Sequence, residues 1–183
     1  SIPSKEQIDG LVALYSRGNL EEALVQGTAL ATQFPNDFTI PNILGAVYSG
    51  QGKHEEAVSN YNKAIELKPD HFKAYNNLGN ALNKLGSYNA AIASYNKAIE
   101  LKPHYTDAHY NLGNLLKNIN KFKEAINIYN KAVELNPSYV DAHYNLANAL
   151  NKMGRYEEAS NAYNKAIDLK ENFFDAHHNL NLN

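Results

Sequence analysis

The chain has 183 residues, 44% of them hydrophobic and 20% charged, with a formal net charge of -2 and no cysteine. The near-neutral charge argues against a nucleic-acid partner held by a basic face, and the missing cysteine excludes disulfides, a thiol nucleophile and cysteine-ligated zinc. No apolar run approaches the roughly 20 residues that span a bilayer, and Ser1 to Asp9 lacks the apolar stretch of a signal peptide, so no membrane partner is expected.

Read from the N-terminus, the sequence repeats every 34 residues. Pro35, Pro69, Pro103 and Pro137 form one column, and Ala23, Ala57, Ala91, Ala125 and Ala159 a second. Tyr61, Tyr95, Tyr129 and Tyr163 form a third. The fourth is Gly18, Gly52, Gly86 and Gly154, with Asn120 in the place of the missing glycine. Coincident columns at one period mark a repeat architecture. The units run 4–37, 38–71, 72–105, 106–139 and 140–173, with a partial sixth at 174–183.

The first unit departs most: Gly27 stands in the tyrosine column, Leu30 replaces alanine, and Gly10-Leu11 inverts the Leu-Gly of later units. Terminal repeats are atypical because they cap a stack, so this unit reads as a degenerate N-terminal cap. In the second unit Pro41 lies early in the first helix, where proline is tolerated in the first turn. The third unit shows the pattern most clearly. Ala74, Leu78, Ala81, Leu82 and Leu85 predict one helical stripe over 72–85, and Gly86-Ser87 a turn. Tyr88, Ala91, Ile92, Tyr95, Ala98 and Ile99 predict a second helix, ended by Lys102-Pro103. The small residues Gly45, Gly79, Gly113 and Ala147, with the alanine column on the partner helix, predict a close helix–helix approach. In the fifth unit Glu171 replaces proline, which predicts that the helix runs on. The sixth stops at Asn183 with Phe174 and Leu180 on an expected buried stripe.

The run Ala74-Tyr75-Asn76-Asn77-Leu78-Gly79-Asn80, followed by Gly86, Tyr88, Ala91, Tyr95, Ala98 and Pro103, resembles the tetratricopeptide repeat over nearly the whole chain. The resemblance implies an all-α fold, a right-handed superhelical solenoid of antiparallel helix pairs forming a single array over 1–183. It also implies a non-catalytic scaffold that binds a protein or an extended peptide on its concave face.

The first helix of each unit carries a polar line about 120° from its apolar stripe. It reads Lys73, Asn77, Asn80, Lys84 in the third unit and Asp107, Asn111, Asn114, Asn118 in the fourth. The fifth has Asp141, Asn145, Asn148, Lys152, and the sixth begins it with Asp175 and Asn179. Two columns are pure asparagine: Asn77, Asn111, Asn145, Asn179, and Asn80, Asn114, Asn148. A primary amide offers a donor and an acceptor that match one peptide unit, so a ladder of them suits backbone capture of an extended chain. Net gains of roughly 0.5–1.5 kcal/mol per bond, less the ordering cost of the peptide, point to affinity on the order of micromolar. Asp107, Asp141 and Asp175 add partners for hydroxyls or basic side chains. Similar ladders line the repeats of O-linked N-acetylglucosamine transferases, and that resemblance implies contacts from Asn77, Asn111, Asn145 and Asn179 to a peptide backbone. The bland alternative is passive exposure: asparagine also fills the column Asn62, Asn96, Asn130, Asn164, and duplication copies any residue at 34-residue spacing.

Other chemistries fit less well. His109, His143 and His177 recur, but neighbouring helices pack about 10 Å apart while imidazoles sharing zinc sit about 2 Å from it; packing is the expected role. A chaperone-type carboxylate clamp needs lysine or arginine where Asn76, Asp141 and Asn145 stand, and the groove aspartates disfavour an acidic terminus. Base-by-base RNA reading needs a phosphate-binding basic stripe that is missing here. Gly50-Gln51-Gly52-Lys53 lies in a helix–helix turn without a phosphate-loop context. No enzyme, metal or cofactor is called for. Two alternatives remain, a homo-oligomer stacked through the C-terminal end and a substrate-recruiting segment of a larger transferase.

Overall fold

A computed structural model of the chain describes residues 2–180, and among them every regular element is a helix. The chain divides into two compact units, residues 1–103 and 104–183, each taken by itself. The first carries α1 (Lys5–Ser16), α2 (Leu20–Gln33), α3 (Thr39–Gly50), α4 (His54–Leu67), α5 (Phe72–Lys84) and α6 (Tyr88–Leu101). The second carries α7 (Thr106–Asn118), α8 (Phe122–Leu135), α9 (Val140–Lys152), α10 (Tyr156–Leu169) and α11 (Phe174–Leu180). Within each unit every helix packs on its successor, and α1 also meets α3, α3 meets α5, and α7 meets α9.

The turns inside the repeats follow from backbone sterics. Gly18, Gly52, Gly86 and Gly154 are left-handed, with φ of 79°, 75°, 75° and 73°, and Asn120 adopts the same conformation at 62°. Only glycine, and less readily asparagine, takes this conformation at low cost. At Gly86 the turn closes with the Gly86 amide donating to the Asn83 carbonyl (3.0 Å) and the Ser87 amide to Leu82 (2.9 Å). Asn120 and Lys121 repeat it on Lys117 and Leu116, at 3.0 and 2.8 Å. Pro41 is the third residue of α3, where its missing N–H leaves no intrahelical bond unmade.

Glu171 does not extend its helix. Helix α10 stops at Leu169, in register with Leu67, Leu101 and Leu135. Lys170 is extended at φ -148°, ψ 91°, close to the -141°, 88° of Lys68, which precedes a proline. The Phe173 amide donates back to the Lys170 carbonyl at 3.0 Å, and the Phe173 ring packs 4.8 Å from that of Tyr144. The same turn forms without proline, with Phe173 against Tyr144 as Tyr139 lies against Tyr110 in the preceding repeat.

The small-residue columns make room for tyrosine. Ala57, Ala91, Ala125 and Ala159 are fully buried. A Cβ on Gly45, Gly79 or Gly113 would lie 2.6, 2.6 or 2.7 Å from Cε1 of Tyr61, Tyr95 or Tyr129, below any real contact distance. In the first repeat Gly27 replaces the tyrosine, and Leu44 fills the space, 2.6 Å from where a Cβ would be. Three stripe expectations fail. Leu85, Tyr88 and Phe174 are exposed, Phe174 at 82%. Phe38 and Phe72 are instead covered by the ammonium groups of Lys68 and Lys102, each 4.6 Å from the ring centroid. Of the sixth helix expected over 174–183, the last three positions lie outside the described residues.

Candidate functional site

In the first unit the polar line of α5 is open to solvent: Lys73, Asn80 and Lys84 are exposed and Asn77 half-buried. Tyr95, on α6, donates its hydroxyl to Asn80 Oδ1 at 2.7 Å. Asn77 Nδ2 donates to Asn42 Oδ1 on α3, at 3.4 Å. Tyr61 occupies on α4 the place Tyr95 has on α6, but residue 46 is alanine where residue 80 is asparagine. A cavity of about 440 Å³ opens there, lined by Tyr15, Ala46, Ser49, Tyr61, Asn77 and Asn80. Burial pushes the Tyr61 and Tyr95 hydroxyls well above the usual tyrosine range, so both stay protonated donors.

The second unit repeats the tyrosine–asparagine bond twice. Tyr129 on α8 donates to Asn114 Oδ1 and Tyr163 on α10 to Asn148 Oδ1, both at 2.6 Å. The other asparagine column reaches back one repeat instead. Asn145 Nδ2 donates to the Tyr110 hydroxyl and Asn179 Nδ2 to the Tyr144 hydroxyl, each at 3.1 Å. Asn179 Nδ2 also reaches Asn148 Oδ1 at 3.3 Å, and Asn145 Oδ1 accepts from Lys117 Nζ at 2.6 Å. Asn111 is engaged as well.

The two columns thus spend their amides differently. Asn80, Asn114 and Asn148 use the carbonyl end on a buried tyrosine, which orients the amide and leaves its N–H groups unspent. Asn77, Asn145 and Asn179 use N–H groups to brace one repeat against the previous one. Asp107, Asp141 and Asp175 are exposed in the first turns of α7, α9 and α11. Lys117 and Lys152 sit in the last turns of α7 and α9, where cations complement the helix dipole. Lys117 is half-buried, and burial holds its ammonium below the usual lysine range.

The histidine column is held by backbone carbonyls. His109 and His143 are 4% and 9% exposed. A ring nitrogen facing a carbonyl must carry the proton, so His109 Nδ1 donates to Tyr105 at 3.0 Å and His143 Nε2 to Pro137 at 2.9 Å. His177 Nε2 donates likewise to Glu171 at 2.9 Å, although its ring is exposed.

Sequence reasoning missed the partners rather than the columns. Asn42, Tyr110 and Tyr144 form a column of changing residue type, and Lys117 stands alone where Asn83 and Asn151 occupy the same repeat position. The readable signal for Lys117 was that departure from its column.

Family profiles described as "TPR repeat" match residues 45–86, 79–120 and 119–154, and one described as "Tetratricopeptide repeat" matches 140–173. No curated protein matches the chain. Among solved structures, that of MamA superposes with a TM-score of 0.80 at 26% identity, covering 87% of this chain and 93% of the other. That of YrrB, described as a TPR protein with an unusual peptide-binding site, gives 0.76 at 26% identity, covering 96% and 91%. PilF of Pseudomonas aeruginosa gives 0.82 at 22% identity, covering 89% and 74%, a likeness of fold alone. Continuous profile matches from residue 45 to residue 173, on helix pairs punctuated by left-handed turns every 34 residues, establish that the chain belongs to the tetratricopeptide repeat family.

Proposed function

We propose that the chain is a non-catalytic scaffold that captures an extended peptide by its backbone, with Asn114 and Asn148 of the second unit as the leading donors and Asn80 a like donor within the first. One observation carries this reading: three times over, a buried tyrosine takes the amide oxygen and leaves the N–H groups unspent. A free amide can rotate and offer either end; one anchored at its oxygen is fixed in orientation and keeps both N–H groups to give to peptide carbonyls. Helices of adjacent repeats pack about 8–10 Å apart and an extended chain advances about 3.3 Å per residue. Amides of neighbouring repeats are therefore two to three residues of an extended chain apart, and the carbonyls on one side of such a chain recur every two residues. In the second unit Asn145 and Asn179 brace the surface behind them, and Asp107, Asp141 and Asp175 select for basic or hydroxyl side chains at its edge. The likeness to YrrB, whose structure is described by its peptide-binding site, supports the same reading. Neither stacking of copies through α11 nor recruitment of substrate for a larger transferase is needed to account for the arrangement.

The test keeps the tyrosine bond and removes the donors. Asn114→Asp with Asn148→Asp retains an oxygen for Tyr129 and Tyr163 but loses both NH2 groups. Binding of a neutral extended peptide, followed by fluorescence anisotropy, is expected to weaken about tenfold or more, with melting little changed. Unaltered affinity in this double variant would overturn backbone capture by these amides.

A further inference from the structure

In the first unit the asparagine column breaks at Ala46, and the break leaves a buried hydroxyl without an acceptor. Tyr61 sits against Gly45 as Tyr95 sits against Gly79. A Cβ on either glycine would lie 2.6 Å from Cε1 of its tyrosine, and 2.9 or 3.0 Å from Cζ. The two rings therefore take the same pose. Tyr95 gives its hydroxyl to Asn80 Oδ1 at 2.7 Å, but the residue equivalent to Asn80 one repeat earlier is Ala46. Tyr61 is 3% exposed, and among the described residues its hydroxyl has no hydrogen-bond partner.

Tyr61 and Ala46 line the cavity of about 440 Å³, whose wall is cut back at two further positions. Ser49 stands where later repeats have Asn83, Lys117 and Asn151, and Gly50 where they have Lys84, Asn118 and Lys152. A water takes about 30 Å³, so the space admits a whole side chain. The lining decides its chemistry. None of the described residues that line the cavity is charged, so a carboxylate or an ammonium would lose its water without gaining a counter-charge. On α5 the flanking charges, Lys73 and Lys84, stand one turn beyond Asn77 and Asn80 and are exposed. An apolar side chain would cover the Tyr61 and Ser49 hydroxyls and leave them unpaired, which costs more than a bond contributes. A carboxamide meets both needs. Its oxygen can accept from Tyr61 as Asn80 does from Tyr95, and its N–H groups can give to the Ser49 hydroxyl or to Asn77 Oδ1. Asn77 gives an N–H to Asn42 and keeps that oxygen.

We propose that this cavity takes the carboxamide side chain of a glutamine or asparagine in the captured peptide, completing the tyrosine–amide pair that Ala46 leaves open. This rests on the backbone capture proposed above, since Asn80 lines the same cavity.

The experiment measures anisotropy of four labelled peptides on the full chain at about 0.3 M salt, which screens Lys73 and Lys84. The peptides are capped at both ends and differ at one central residue: glutamine, glutamate, leucine or tyrosine. Each is titrated into the wild type, Tyr61→Phe, Ala46→Asn, and Asn114→Asp with Asn148→Asp. Ala46→Asn installs the residue of three later repeats and gives Tyr61 an internal acceptor, so its melting temperature should not fall. The glutamine peptide is expected to bind the wild type about five- to tenfold more tightly than the other three. That preference should vanish in Tyr61→Phe and in Ala46→Asn, and persist in the double variant of the second unit. A glutamate, leucine or tyrosine peptide that binds the wild type as tightly would overturn the carboxamide site and leave backbone capture standing. A preference that survives in Tyr61→Phe and Ala46→Asn would overturn the site as assigned. Full affinity with the preference intact in the double variant would overturn capture by Asn114 and Asn148 and leave the carboxamide site standing. Failure of all four peptides to bind would overturn both.

Discussion

At the residue scale, the tyrosine column decides most of what the repeat can do. The rings of Tyr61, Tyr95 and Tyr129 fill the space a glycine leaves open, and each hydroxyl of the column except that of Tyr61 is given an asparagine acceptor. Removing the two halves of one such pair should have unequal effects. Tyr129→Phe deletes the donor and leaves an oxygen that water can reach, at a cost of about 1 kcal/mol. Asn114→Ala leaves the hydroxyl of the fully buried Tyr129 without an acceptor, at a cost of about 1–3 kcal/mol. Urea unfolding of both single variants and the double variant should show a coupling energy of roughly 1 kcal/mol, and strict additivity would show that the bond contributes nothing. The columns at 34-residue spacing were legible in the sequence. The meeting of residues 15 apart, such as Asn80 and Tyr95, was not. Periodicity places each residue on a face of its own helix, whereas that bond depends on how two helices sit against each other. Lys117 escaped for the opposite reason. A reading built on columns discards the residue that breaks one.

At the element scale, the junctions between helix pairs carry more information than the helices. The junction of α4 and α5 places His71 where the later repeats have Tyr105, Tyr139 and Phe173. Its ring sits edge-on to Phe38 at 4.9 Å, and its buried Nδ1 has no hydrogen-bond partner. Burial lowers its pKa below the usual histidine value; Lys68 and Lys73 push the same way, and Asp70 opposes them. The sign of the linkage is then fixed. The unfolded chain protonates this histidine at a higher pH than the folded chain does, so stability falls as pH drops through the ordinary histidine value near 6.5 and on through the folded one. His71→Tyr, which restores the residue of two later repeats, should reduce the loss of melting temperature between about pH 7 and pH 5. Equal losses in the variant and the wild type would show that His71 does not set the acid sensitivity. The proline at the end of each second helix was read correctly as a stop, yet it proved dispensable at Glu171. The contact of Phe173 with Tyr144 matches that of Tyr139 with Tyr110 in the preceding repeat, so the junction keeps its packing where proline is absent.

At the scale of the whole molecule, the described contacts join helices that are adjacent or next-but-one within a unit, so few residues far apart in sequence must find each other. Such arrays behave as nearest-neighbour chains, in which each helix is held by the helices it packs on. Helix α1 buries only Leu11 and α11 only Ala176, whereas α3 buries six residues. Helix α11, described over Phe174–Leu180, packs on α10. Native-state hydrogen exchange should therefore show the lowest opening energies in α1 and α11, and higher ones in α3 and α9. Leu11→Ala sharpens the test, because Leu11 is fully buried among Ala23, Ile43 and Val47. Its loss should cost about 2–5 kcal/mol locally, raising exchange in α1 and α2 strongly while α5 and α6 of the same unit change little. A uniform rise from α1 to α6 would instead mean that the unit opens as one cooperative block. In that case a peptide held at Asn80 would stabilise α1 as much as α5, whereas a nearest-neighbour chain confines the effect of a ligand to the repeats it touches.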